Sequence, residues 1–181
     1  VDMERGEFYF QEMNARIQVE HPVSEMVTGI DLVAEQFAVA QGEGLRLAQE
    51  QIQPRGCALE CRINAEDPAR DFQPSPGTVT HVAWPAGEGI RVDTHVETGS
   101  KVAPFYDSLL AKIIVGGPDR PTVLSTMRAA LARTEIAGVA TNIALHAMIL
   151  EDPRFVHGGV DTGFLAGVLE HAHTRAKVTH G

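Results

Sequence analysis

With 181 residues, 44% of them hydrophobic and 22% charged, the chain has an ordinary globular composition and enough length to bury a core. Its formal net charge of -9 at pH 7 excludes nucleic acid as a general partner, because phosphate binding needs a positive field. No apolar run approaches the roughly 20 residues of a membrane helix and no signal-peptide pattern opens the sequence, so no membrane partner and a cytoplasmic location are expected.

In chain order, Val1-Asp2-Met3 and Glu7-Phe8-Tyr9-Phe10 flank Glu4-Arg5-Gly6. This predicts a hairpin whose first strand begins at or before residue 1, as in a chain that starts inside a domain. From Glu12 to Pro22 the residues alternate. Glu12, Asn14, Arg16, Gln18 and Glu20 take one parity and Met13, Ala15, Ile17 and Val19 the other, so an extended backbone puts the polar groups on one face. Glu12 and Asn14 are hard oxygen donors two residues apart, suited to Mg²⁺. Arg16 can clamp a planar anion, and Glu20 can act as a base. An edge strand with its polar side in water has the same alternation, and Arg16 can equally pair with Glu12 or Glu20.

Asp31 caps a predicted helix from Leu32 to Gln41, with Val33, Phe37 and Ala40 on one side and Gly42 as its stop. The polar stretch from Gly42 to Gly56 marks a domain boundary, dividing residues 1–53 from 54–170. Cys57, Leu59, Cys61 and Ile63 then alternate with Ala58, Glu60, Arg62 and Asn64 as a strand. The two cysteines would lie roughly 13 Å apart at Cα, beyond the about 7 Å reach of a disulfide. Two core thiols are expected, in keeping with a reducing compartment.

Thr78 to Ala83, Ile90 to Val96 and Leu109 to Val115 continue as strands of an antiparallel sheet. Asp119 and Pro121 open a helix that packs through Val123, Met127, Ala130 and Leu131. Glu135 to Val139 adds a strand and Asn142 to Leu150 a helix. A loop around Pro153 and Gly158-Gly159 and a short helix near Phe164-Leu165 follow. Residues 171–181 read as a flexible tail, with His171, His173 and His180 solvated. The fold class is α+β.

The run Glu12-Met13-Asn14-Ala15-Arg16-Ile17-Gln18-Val19-Glu20-His21-Pro22 resembles the end of the ATP-grasp domain of biotin carboxylases. The likeness continues through Arg55-Gly56, Glu60-Cys61-Arg62-Ile63-Asn64-Ala65-Glu66-Asp67, Ser75-Pro76-Gly77, Tyr106-Asp107-Ser108 and His157-Gly158-Gly159. It implies that residues 1–53 are the C-terminal part of an ATP-grasp domain and 54–170 the biotin carboxylase C-terminal domain with an antiparallel sheet flanked by helices. It further implies ligation of Mg²⁺ or Mn²⁺ by Glu12 and Asn14, a bicarbonate cradle of Arg16, Gln18 and the Val19 N–H, and Glu20 as the general base. Arg91 would face the ureido oxygen of biotin.

The resemblance makes ATP and biotin on a carrier protein the cofactors, and a biotin carboxyl carrier protein or domain and a carboxyltransferase subunit the partners. A homodimer is expected for the intact enzyme. His21 reads as a hydrogen-bonded buttress. Tyr106-Asp107 and Glu60-Arg62-Asn64 read as a buried polar network joining the two domains, with no catalytic role.

The departures bear on the chain by itself. It holds no Gly-rich phosphate loop, adenine pocket or Ala-Met-Lys-Met run, so it is not expected to bind ATP well or to carry biotin. Two other readings stay open: another ATP-grasp ligase of the carbamoyl phosphate synthetase type, and a scaffold or dimerisation piece without turnover.

Overall fold

The computed structural model describes residue 2 and residues 4–170. Asp2 pairs with Glu7 across the turn at residues 4–6 through two backbone hydrogen bonds of 2.8 and 3.2 Å. Residues 8–18 then run without a strand partner among the described residues. A turn at Val19 and Glu20 leads into helix α1 (His21–Thr28), where Pro22 sits in the first turn and lacks only an N–H that needs no helical partner. Gly29, at φ 72°, stops this helix, its N–H donating to the Glu25 carbonyl. Helix α2 (Leu32–Ala40) starts where the Asp31 carboxylate accepts from the Ala34 N–H.

The strands are β1 (Cys57–Asn64), β2 (Glu66–Asp67), β3 (Gln73–Pro74), β4 (Gly77–Thr78), β5 (His81–Ala83), β6 (Ile90–Thr94), β7 (Lys101–Val102), β8 (Leu109–Gly117) and β9 (Glu135–Ala137). The later helices are α3 (Arg120–Ala132), α4 (Ile143–Glu151) and α5 (Pro153–His157), followed by a helical stretch over residues 164–170. The class is α+β, as the pattern predicted.

The centre is a three-stranded antiparallel sheet in the order β1, β8, β6. Opposed residues share a face. Cys61 opposite Ile113, and Ile63 opposite Ala111, form one face with Val115, and α3 covers it with Val123, Leu124, Met127, Ala130 and Leu131. Asp119 caps α3 through the Thr122 N–H at 2.8 Å. The other face carries Ile114, fully buried, and Gly116, where an added Cβ would lie 2.7 Å from the Met26 methyl of α1. The sheet is therefore held between α1 and α3, and β8 is buried on both sides. Gly56 is fixed at the edge of β1 for two reasons: its φ is +70°, and a Cβ there would lie 2.3 Å from the Gly117 carbonyl oxygen.

Several expectations change. The strand expected from Thr78 to Ala83 is two strands, because the chain changes partners: β4 pairs with β7 and β5 with β9. Val79 is fully buried at the changeover, bonded to Ser100 and Gly99. The expected loop at Pro153 is α5, whose start is capped by the Asp152 side chain. On α2, Val33 is 38% and Phe37 66% exposed, so the expected apolar side faces outward, and Ala38 is the buried residue. Tyr106 is 85% exposed, which removes it from the expected buried network, while Asp107 caps the Leu109 N–H. Cys61 is buried, Cys57 half-buried, and both are free. The expected tail, with His171, His173 and His180, lies outside the described residues.

Candidate functional site

The strand register that builds the core also builds the site. Arg62 on β1, Lys112 on β8 and Asp93 on β6 are mutually opposed across the sheet, and so are Glu60, Ile114 and Arg91. Five charged side chains thus share the face that α1 covers. Arg62 directly opposite Lys112 would repel. Carboxylates offset this: Asp93 lies 3.4 Å from Lys112, and Glu60 lies 3.4 Å from Arg62.

The segment leading into α1 docks on this face through its last residues. Arg62 Nη2 donates to Glu20 Oε2 at 2.6 Å, and Lys112 Nζ donates to the Val19 carbonyl at 3.0 Å. Glu20 occupies the N-cap position of α1 yet makes no capping bond; its carboxylate turns to Arg62 instead. The Gln18 carbonyl accepts from the His21 backbone N–H at 3.2 Å and from His21 Nδ1 at 2.8 Å, which fixes the peptide whose other end is the Val19 N–H. His21 is therefore the hydrogen-bonded buttress its sequence position predicted. Its Nε2 lies 3.9 Å from Glu25 Oε2, one helical turn on.

Glu25 is 7% exposed and uses both oxygens. Oε1 accepts from the Leu32 N–H at 2.8 Å, and Oε2 accepts from Arg91 Nη1 at 2.6 Å. Arg91 also forks onto Asp93, with Nε at 2.7 Å and Nη2 at 2.9 Å. Its Nε–H and one hydrogen on each terminal nitrogen are thereby taken, so each terminal nitrogen keeps a second hydrogen for a ligand.

The hydrogen bond to Asp93, helped by Glu25, raises the Arg91 guanidinium further above the physiological range. Burial alone would push the Asp93 carboxyl up, but the bond from Arg91 and the charge of Lys112 outweigh it and hold the group below the usual carboxylate range. Glu60 goes the other way. With its side chain only 4% exposed, burial raises its carboxyl despite Lys112 and Arg62, and its Oε2 has no hydrogen-bond partner.

The structure brings Glu20, the Val19 backbone and Arg91 to one face, linked through Lys112, Arg62 and Glu25. It does not bring the rest of the segment there. Glu12, Asn14, Arg16 and Gln18 are exposed, and among the described residues Arg16 donates only to the neighbouring Ile17 carbonyl. Glu12 and Asn14 have no hydrogen-bond or ion-pair partner among the described residues, so their oxygens are free to meet a cation. No group of three or more His, Cys, Asp or Glu side chains that could hold a metal ion occurs among the described residues.

Lys112 and Glu25 were missed in the sequence. The signal for Lys112 was one charge inside the apolar run Leu109 to Val115, since a buried lysine demands partners. Glu25 gave none, because an acidic residue inside a helix is ordinary. Asn64 and Arg62 also hold α4. The Asn64 N–H donates to Asn142 Oδ1, while Asn142 Nδ2 and His146 Nε2 both reach the Arg62 carbonyl.

The model of the biotin carboxylase C-terminal domain matches residues 60–167, and that of the carbamoyl-phosphate synthase L chain, ATP binding domain, matches residues 1–48. The chain is 54% identical over 160 residues to the biotin carboxylase of Nostoc sp., covering 88% of this chain and 36% of the relative. It is 53% identical over 162 residues to that of Haemophilus influenzae, covering 90% and 36%. The biotin carboxylase domain dimer of Hydrogenobacter thermophilus 2-oxoglutarate carboxylase, solved in complex with MgADP, ADP and bicarbonate, superposes with a TM-score of 0.87 at 48% identity, over 94% of this chain and 37% of that one. The chain thus spans little more than a third of the length of the curated relatives it matches.

Proposed function

The chain belongs to the biotin carboxylase family, and from that premise we propose that the intact protein is an ATP-dependent ligase that carboxylates carrier-bound biotin with MgATP and bicarbonate. Residues 1–53 are then the end of its ATP-grasp domain and 54–170 its C-terminal domain. Identity to biotin carboxylases over 88% of this chain favours this over a ligase of the carbamoyl phosphate synthetase type, although that type's name stands on the model matching the first 48 residues.

Arg16, the Gln18 amide and the Val19 N–H hold bicarbonate. The Glu20 carboxylate takes its proton as a bicarbonate oxygen bonds to the γ-phosphorus of ATP and the bond to the β-phosphate oxygen breaks, giving carboxyphosphate and ADP. Carboxyphosphate would then break its bond between the carboxyl carbon and the bridging oxygen, releasing CO₂ and phosphate; the phosphate would take the proton from N1 of biotin as N1 bonds to the CO₂ carbon. Arg91, with a spare hydrogen on each terminal nitrogen, stabilises the negative charge on the ureido oxygen. Glu12 and Asn14 fit as two oxygen ligands of Mg²⁺ or Mn²⁺, which when bound neutralises phosphate charge. Two donors do not complete a coordination sphere, and phosphate oxygens or further chain supply the rest.

The observation that supports this reading is that Glu20 docks by a 2.6 Å ion pair to Arg62 on the sheet face that also carries Arg91, which a second 2.6 Å ion pair ties to Glu25 of α1. A biotin carboxyl carrier and a carboxyltransferase are the proposed partners, and a homodimer the proposed assembly, as in the dimeric Hydrogenobacter domain. The free cysteines suit the reducing cytoplasm. Glu20→Gln or Arg91→Ala in the intact protein should slow biotin carboxylation by at least about a hundredfold. Turnover at the wild-type rate in both variants would leave only the scaffold reading.

A further inference from the structure

The interface between the central sheet and α1 gathers Glu20, Glu25, Glu60 and Asp93 against Arg62, Arg91 and Lys112, with His21 of α1 beside Glu25. Glu25 and Asp93 use both of their oxygens. Glu60 does not. Its side chain is only 4% exposed, Oε1 lies 3.4 Å from Arg62 Nε, and Oε2 has no hydrogen-bond partner among the described residues. A buried carboxylate left half-satisfied costs stability that an amide or an apolar side chain of similar size would not. Packing alone does not call for an acid at this position.

What the carboxylate does hold is Arg62. The Arg62 carbonyl accepts from Asn142 Nδ2 at 3.0 Å and lies 2.9 Å from His146 Nε2, so α4 pins the backbone of this residue. At the far end of the side chain, Glu60 takes the Nε edge of the guanidinium and Glu20 takes Nη2 at 2.6 Å. The guanidinium thus stands between two carboxylates, one buried and one exposed.

We propose that Glu60 is a positioning residue for the base: it holds the Nε edge of Arg62 so that Nη2 meets Glu20, and its charge offsets the guanidinium so that Glu20 keeps its capacity to take the bicarbonate proton. This rests on the reading of Glu20 as the general base and adds to it a residue that touches no substrate. A guanidinium beside a carboxylate favours the charged form and makes it a poorer proton acceptor, and a second anion on the same guanidinium works the other way.

The test is the pH profile of bicarbonate-dependent ATP hydrolysis by the intact protein, read as kcat/KM for bicarbonate, with bicarbonate concentrations corrected for conversion to CO₂ at low pH. Glu60→Gln keeps the size of the side chain and an acceptor for Arg62 Nε but loses the charge. The base works in its ionised form, so activity falls as the pH drops. Loss of the neighbouring negative charge should carry that acidic limb lower by about half a pH unit or more. Glu60→Asp keeps the charge, and its limb should stay within about 0.2 pH units of wild type.

A limb that stays in place in Glu60→Gln, or one that moves equally in Glu60→Asp, would overturn the role of Glu60 while leaving the family reading intact. Complete loss of turnover in a Glu60→Gln protein that melts like wild type would overturn it too, because Glu60 would then do more than tune the base. Absence of bicarbonate-dependent ATP hydrolysis in the wild type would sink both readings. If Glu60→Gln melts more than about 5 °C below wild type, the profile is taken with Glu60→Met, whose neutral, apolar side chain suits the burial. The same shift is then expected, and a fixed limb overturns the proposal.

Discussion

The segment of residues 8–18 and strand β8 differ in what surrounds them. Every residue of the segment is exposed, and it has no strand partner among the described residues. In β8, Leu110 to Val115 are all buried, between β1 and β6 laterally and between α1 and α3 above and below. The first presents side chains whose proposed work is on substrate; the second presents side chains that hold the fold. Just past the segment, Val19 and Glu20 reach the sheet, through Lys112 on β8 and Arg62 on β1. The exposed segment and the strand that holds the fold are therefore different stretches, joined at a short polar seam.

That division can be broken most severely from the sheet side. Ile113→Ala empties a fully buried position in the central strand and should cost about 2–5 kcal/mol of unfolding free energy by denaturant titration. Arg16→Ala should change stability by less than about 0.5 kcal/mol while slowing bicarbonate-dependent turnover by about tenfold or more. Equal losses of stability in the two variants would erase the distinction.

The seam itself gives a smaller effect. Arg62→Ala removes a half-exposed guanidinium, so its ion pair with Glu20 contributes little by itself. It also strands the buried Glu60 carboxylate, and the expected cost is about 1–2 kcal/mol. Adding Glu60→Gln should recover most of that cost; a double variant as weak as the single one would place the loss elsewhere.

The finest cut is a pH profile. Burial holds the folded Glu60 carboxyl above its ordinary value, so the stability it contributes is present below its unfolded value, about pH 4.3. That stability is lost as the pH rises through the raised folded value. Relative to wild type, Glu60→Gln should gain less than about 1 kcal/mol between pH 4 and pH 7, read as Tm at each pH. A gap that narrows over that interval would mean that Arg62 and Lys112 outweigh burial.

The alternation of Cys57 to Asn64 and the stripe Val123, Met127, Ala130 and Leu131 were legible in the sequence because each element's period is a local property and its apolar side met the core. The parity of Glu12 to Glu20 was legible as chemistry, and the meeting of Glu20 with the sheet was foreshadowed by reading Glu60 and Arg62 as a joining network. What stayed hidden depends on distant partners. Nothing local to Thr78–Ala83 says that the chain leaves one strand partner for another at Val79. Nor does the stripe of α2 say whether another layer covers it. The helix at Pro153 was recoverable, since Asp152 before a proline is a capping signal. The tie between Glu25 and Arg91 spans 66 positions, beyond any pattern within one element.

The enclosure of β1 also governs how the thiols react. Burial raises the Cys61 thiol to about 12, so at pH 7 roughly one molecule in 10⁵ carries the nucleophilic thiolate. Cys57 lies half-buried at the first position of the strand, four residues before Cys61 and beside the close approach of Gly56 to Gly117. A mild alkylating reagent should therefore mark Cys57 and spare its neighbour, giving this chain a built-in attachment point for a spectroscopic reporter at the edge of its central sheet.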